Sequence, residues 1–197
     1  MKKAFILLTL AAISLAACSR KDKESARTTA QDNAIAEGAF DDVYKQVDFA
    51  CKNQASALKL TSWSCATVTV SPADTTTFPK TITVDFGTIG CTSNDGILRK
   101  GKIVIGMTGK YRTPGSIITV SLVDYYKDGT LIEGTKTVTN KGKNGENHTY
   151  FDIEVEDAKI TTEDGRIISW NSSRKREWIE GEETPWPAYS DDVYEIK

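Results

Sequence analysis

From Thr67 onward the chain alternates apolar with polar residues, and turn signals interrupt it at strand-length intervals: Ser71-Pro72, Asn94-Asp95-Gly96, Pro114-Gly115, Asp128-Gly129, Asn144-Gly145 and Asp164-Gly165. A period of two puts successive side chains on opposite faces of a strand, and tight turns between neighbours force antiparallel pairing. The punctuation predicts strands near 66–70, 81–87, 97–112, 116–126, 130–139, 148–161, 166–178 and 192–196. Ile103, Ile105 and Met107, then Ile118, Val120 and Leu122, then Phe151, Ile153 and Val155 supply one apolar face, as in a sheet wet on its other side. Helical spacing occurs upstream, between Asp32 and Ala50. There Ile35, Ala39, Phe40, Val43, Tyr44 and Val47 recur every three or four residues, while Glu37, Asp41, Lys45 and Asp48 fall on the other side. The expected fold class is mainly β, an antiparallel meander with one short N-terminal helix over part of its core face.

The N-terminus reads as an export signal. Met1-Lys2-Lys3 is a positive n-region, and the apolar run Ala4 to Ala17, 14 residues long, falls short of the ~20 that span a bilayer. It ends Leu15-Ala16-Ala17-Cys18, which resembles the lipobox of bacterial lipoproteins. That resemblance implies cleavage before Cys18, diacylglycerol on its thiol and acylation of the new amino group, so the membrane is a partner through the lipid. An ordinary cleaved signal with a cysteine at the cut is the less favoured alternative. Ser19 to Gln31 is polar, charged with both signs and without large apolar residues, as in a disordered tether. The chain thus divides into a lipoprotein signal peptide (1–17), a lipidated cysteine with its tether (18–31) and a β-rich domain (32–197). Ser19 rather than Asp after the anchor resembles the sorting pattern that releases lipoproteins to the outer membrane, with the periplasmic and surface leaflets both open. The whole chain carries 25 basic against 27 acidic residues, and 1–17 holds two of the lysines and no acid. That balance excludes nucleic-acid binding by bulk charge.

An oxidising envelope favours a disulfide among the cysteines downstream of Cys18. The expected bridge joins Cys51 to Cys65, tying the helix end to the first strand, with Cys91 left over for a partner chain; pairings 51–91 and 65–91 stay open. In the last long hairpin, a three-residue loop Glu163-Asp164-Gly165 sets Ile160 against Ile168 and Ala158 against Trp170. It also places Glu154 opposite Arg174 and Asp152 opposite Arg176. Trp170, Arg174, Arg176 and Trp178 share one face of that strand, with Trp186 and Tyr189 soon after. Exposed, these residues would make a glycan- or lipid-binding face; the plainer reading is a ladder packed across neighbouring strands.

Motifs that carry chemistry are lacking. The single histidine, His148, sits in Gly145-Glu146-Asn147-His148-Thr149 at a hairpin mouth, so a site with two histidine ligands is excluded and a solvated turn residue is expected. The sequence holds no nucleophile elbow, P-loop, dinucleotide fingerprint or calcium loop. No catalytic residue, metal or cofactor is expected. Carboxylate pairs such as Asp41-Asp42, Glu182-Glu183 and Asp191-Asp192 leave a carboxylate-dependent hydrolase as the least favoured class.

Several segments carry a wider likeness. Thr81-Ile82-Thr83-Val84-Asp85-Phe86-Gly87 leading to Gly90-Cys91, Arg99-Lys100-Gly101-Lys102-Ile103, Asp124-Tyr125-Tyr126, the run Glu133 to Asn140, and Asp164-Gly165 with Trp170 resemble a family of lipoproteins of unknown function from Bacteroidota-type Gram-negative bacteria. The likeness covers roughly 49–196, and its motifs are turns and strand edges. It implies no activity. It implies that the chain is a C-terminally shortened member with an exposed sheet edge, a second candidate route to a partner chain. The expected function is a lipid-anchored envelope lipoprotein acting as a non-enzymatic structural or binding module.

Overall fold

The computed structural model describes residues 18–52, 65–74, 76–184 and 191–197, with side chains placed for all of these except 18–28, 49, 51 and 52. A helix, α1 (Cys18–Lys52), precedes nine strands: β1 (Thr67–Ser71), β2 (Lys80–Asp85), β3 (Cys91–Thr92), β4 (Leu98–Met107), β5 (Ile117–Lys127), β6 (Thr130–Lys143), β7 (Thr149–Thr161), β8 (Ile167–Glu180) and β9 (Val193–Ile196). They form one antiparallel sheet in the order β1-β2-β4-β5-β6-β7-β8-β9, with β3 beside β4. The mainly β meander is as the turn signals predict, and β3 is the strand they miss, too short for an alternation to register.

The helix lays Ala36, Ala39, Phe40, Val43, Val47 and Ala50 against the sheet, all buried, at the three- and four-residue spacing of one helical face. It touches β2, β4 and β8. Four strands separate β2 from β8, so the sheet curves around the helix. Among these apolar residues stands Asp42, 5% exposed. Its carboxylate accepts from Arg99 Nε at 3.2 Å and Nη2 at 2.5 Å and from the Tyr125 hydroxyl at 2.9 Å. Arg99, itself 1% exposed, also donates to Asp95 from Nη1 and Nη2. The residues expected as an unstructured tether are the first turns of α1. Good helix formers (Ala26, Ala30) and opposite charges three and four residues apart (Glu24 with Arg20 and Arg27) favour a helix despite the polarity.

Two of the sheet's several bulges carry an aspartate at positive φ. Between Ser121 and Tyr125 on β5, and between Val155 and Ala158 on β7, the register shifts, with Asp124 at φ 46° and Asp157 at φ 52°. The neighbouring strands meet them with glycine. A Cβ on Gly101 would stand 1.9 Å from the Asp124 carbonyl oxygen, and one on Gly134 would stand 2.8 Å from Ala158 Cα. The Asn171 Oδ1 accepts from the Asp157 backbone N–H at 2.8 Å, which satisfies the donor that the bulge frees. The β7–β8 loop is the expected three-residue one, with Thr162 N–H to Arg166 O at 2.9 Å and Gly165 at φ 83°. Ile160 faces Ile168 and Ala158 faces Trp170. Beyond the bulge the expected charge pairing fails: Arg174 faces Ile153, Arg176 faces Phe151, and Glu154 faces Ser173. The extra residue in β7 rotates Glu154 and Asp152 to the other face and keeps Phe151 and Val155 in the core.

The disulfide also differs from expectation. Cys65 bonds to Cys91 at a sequence separation of 26, so Cys51 does not hold Cys65 and Cys91 is not left over for a partner chain. The pairing follows from β3, which the turn signals miss: it sets Cys91 against Arg99 of β4, within reach of the segment entering β1.

Substituting Arg99→Met leaves Asp42 buried without its cation and is expected to cost ~3–5 kcal/mol in urea unfolding. Asp95, 37% exposed, is expected to contribute no more than about 1 kcal/mol when changed to Asn. Peptide mapping without reductant should recover a Cys65–Cys91 cross-link, and reducing it should cost about 3.5 kcal/mol by the chain-entropy relation for a 26-residue loop.

Candidate functional site

The sheet brings Trp170, Arg174, Arg176 and Trp178 to one face, as the alternation predicts, but that face is the concave one and the helix covers it. Trp170 packs on Phe40 with ring centroids 5.6 Å apart, and Arg174 pairs with Glu37. Arg176 and Trp178 are 6% and 2% exposed. The four side chains therefore pack as the plainer reading has it and form no open Trp and Arg surface, because the bulge turns the apolar side of β7 toward the helix and β8 follows it.

Arg176 is the centre of the cluster. Its Nη1 donates to the Tyr44 hydroxyl at 2.9 Å and its Nη2 to the Tyr111 hydroxyl. Rings surround the guanidinium: Tyr44 at 5.2 Å, Tyr111 at 5.8 Å, Phe151 at 5.3 Å and Tyr194 at 4.8 Å, a cation–π arrangement strengthened by exclusion of water. Tyr111 stacks on Phe151 at 4.7 Å, while Trp178 contacts Tyr194 at 5.2 Å and lies under Arg112 at 4.5 Å. Lys136 of β6 stands over the Tyr44 ring at 4.9 Å. Burial first, then repulsion from Arg176 and Arg174, pushes its ammonium down to about 8, against attraction from Asp41. Burial pushes the Tyr111 and Tyr194 hydroxyls above the usual tyrosine range.

Sequence reasoning missed Tyr44, Tyr111, Lys136 and Tyr194 as members of this group. Tyr44 belongs to the helical stripe, and the others lie far from Arg176 in the chain or on another strand, so no spacing connects them. The side chains of Cys18 and Cys51, the signal segment 1–17, and Trp186 with Tyr189 lie outside the described residues.

The convex face holds a second polar group. His148, expected as a solvated turn residue, is half-buried, with Nδ1 at 2.9 Å from Glu177 Oε1. Asn144 Nδ2 donates to the same oxygen at 2.5 Å, and Lys197 Nζ to Oε2 at 3.0 Å. These bonds, His148 first, then Lys197 and Asn144, pull the Glu177 carboxyl down to about 2. An ionised carboxylate only accepts, so Nδ1 carries the proton. Glu146 Oε2 lies 3.8 Å from the same nitrogen, which makes Glu146, His148 and Glu177 a potential cation group. Both Glu177 oxygens are already engaged, so a cation would compete with Lys197 and Asn144 for them. A cleft of about 480 Å³ opens at the β7 bulge between Glu154, Glu156, Asp157 and Asn171. Its three acids are exposed.

The Glu177 carboxyl is lower in the fold than its ordinary 4.5, so it stabilises the fold fully above pH ~4.5, and that contribution is lost as pH falls through about 2. Glu177→Gln is expected to flatten this part of the acid limb when unfolding free energy is measured against pH. Comparison with known protein families, with characterised proteins and with solved structures finds no match to this chain.

Proposed function

We propose that the protein is a lipid-anchored lipoprotein of the cell envelope, sorted to the outer membrane, whose β domain works as a non-enzymatic structural or binding module. The export signal and the Leu15-Ala16-Ala17-Cys18 segment support the anchor. One structural observation supports the way it is used. The helix is unbroken over Cys18–Lys52, so the proposed lipid site and the Asp42 lock to the sheet share one rigid element. At 1.5 Å per residue, Cys18 and Asp42 stand about 36 Å apart along its axis. Asp32 pairs with Arg166 beside the β7–β8 turn, so an anchor at Cys18 would turn that end of the sheet toward the bilayer. Among the described residues no helix is long and apolar enough to cross a membrane. Several acyl chains suffice for stable anchoring where one does not.

The resemblance to Bacteroidota-type lipoproteins supports the same reading and adds no activity. The short outer strands β1 and β9 are the edges where a partner chain would add by strand pairing. Cys18→Ser is expected to move the protein from the membrane to the unsedimented fraction and to abolish incorporation of labelled palmitate, with the Cys65–Cys91 bridge still formed. A variant that stays in the membrane fraction would overturn the proposal.

A further inference from the structure

We propose that the cluster around Arg176 is a binding site for a ligand that carries an oxyanion, a carboxylate or a phosphate, held between the rings beneath the helix. The proposal deepens the binding-module reading and does not depend on acylation of Cys18.

The sheet supplies its own control. Two buried arginines lie under the same helix, and Arg99 has two carboxylates, Asp42 and Asp95. Arg176, equally enclosed, has neutral hydroxyls and ring faces in their place. Its Nε is buried and lacks an acceptor among the described residues, and so does the indole Nε1 of Trp178. Both side chains are more than nine-tenths buried, and both pack on the Tyr194 ring. Buried polar groups are nearly always satisfied, so two orphaned donors on one wall mark the place of a missing acceptor.

Charge points the same way. The groups that act on Lys136 are Arg174 and Arg176 from β8 and Asp41 from α1, with the Tyr44 ring against it. Glu37 pairs with Arg174; among the described residues neither Arg176 nor Lys136 is in an ion pair, and Asp48 and Asp192 act on the neighbouring Tyr111 and Tyr194 hydroxyls. A ligand oxyanion would supply the acceptor for Nε and the indole and a countercharge for both cations. A carboxylate or phosphate is a stronger acceptor for guanidinium than a phenol, so it can displace the Tyr44 or Tyr111 hydroxyl. Tyr44 sits on α1 and Tyr111 on the β4–β5 connection, so an entering ligand would have to part these two elements. The ring walls then favour a ligand with an apolar face beside its anionic group.

The test uses the full chain carrying Cys18→Ala, so that its result is independent of the lipid-anchor proposal. Glucuronate and inorganic phosphate are titrated calorimetrically, and vesicles of phosphatidylglycerol are tested by co-sedimentation against phosphatidylcholine vesicles. At least one probe is expected to bind. Trp178→Phe keeps the ring and removes only the donor, and should weaken binding about fivefold with the fold intact by circular dichroism. Lys136→Met should weaken it about tenfold. In the parent chain, affinity should fall as pH rises through about 8, where Lys136 loses its charge, and in Lys136→Met that dependence should vanish. Binding of glucuronate alone identifies a sugar acid, and binding of phosphatidylglycerol vesicles with or without free phosphate identifies a phosphate ligand. Failure of every probe at millimolar concentration, or binding that neither substitution changes, overturns the proposal.

Discussion

Arg99 and Asp42 face each other across the interface between helix and sheet, and the arrangement of the concave side depends on that contact. A guanidinium offers its donors in a fixed plane, so satisfying Nε and Nη2 on one carboxylate sets the direction from which Asp42 must approach. Tyr125 adds a third donor from β5. Turning the helix by one residue, about 100°, would break all of this and take Phe40 and Val43 out of the core. With the rotation set, Phe40 meets Trp170, Glu37 meets Arg174 and Tyr44 meets Arg176. A buried pair is costly to desolvate and contributes mainly by excluding other arrangements. Here it excludes other rotations of a helix whose apolar stripe, mostly alanine and valine, would slide easily.

The bulges are the second constraint. Asp124 and Asp157 occupy left-handed conformations in two strands, and Gly101 and Gly134 make room beside them. The row crosses four strands, and extra residues in strands increase local twist and bending. That bending lets the sheet close round one helix. It also decides which side chains of β7 and β8 share a face, and so whether the arginines of β8 meet acids or rings.

The two faces handle charge in opposite ways. On the convex side Glu177 is met by three donors and asks for nothing further. On the concave side the acids of α1 are spent unevenly: Asp42 goes to Arg99, Glu37 to Arg174, and Arg176 is left to tyrosines. Uneven satisfaction within one buried layer is where a binding function is most economically placed, because a ligand there gains contacts that the free protein lacks.

Much of this fold was legible in the sequence. The turn signals placed eight of the nine strands to within a few residues, and the helical stripe identified Phe40, Val43 and Val47 as core. Even the β7 bulge left a trace: the apolar alternation Phe151, Ile153, Val155 changes phase before Ala158 and Ile160, as it does between Leu122 and Tyr125. Pairing opposite charges overrode that trace and gave the wrong register, because core burial outweighs exposed ion pairs. The sequence by itself also determined the shared face of Trp170, Arg174, Arg176 and Trp178 and the motif at Cys18. Only the tertiary structure decided that this face is covered, that Cys65 joins Cys91, and that Tyr44, Tyr111 and Tyr194 gather on one guanidinium. Periodicity reports which residues share a face of one element; which element lies against that face depends on rotation and curvature, set by contacts between residues far apart in the chain.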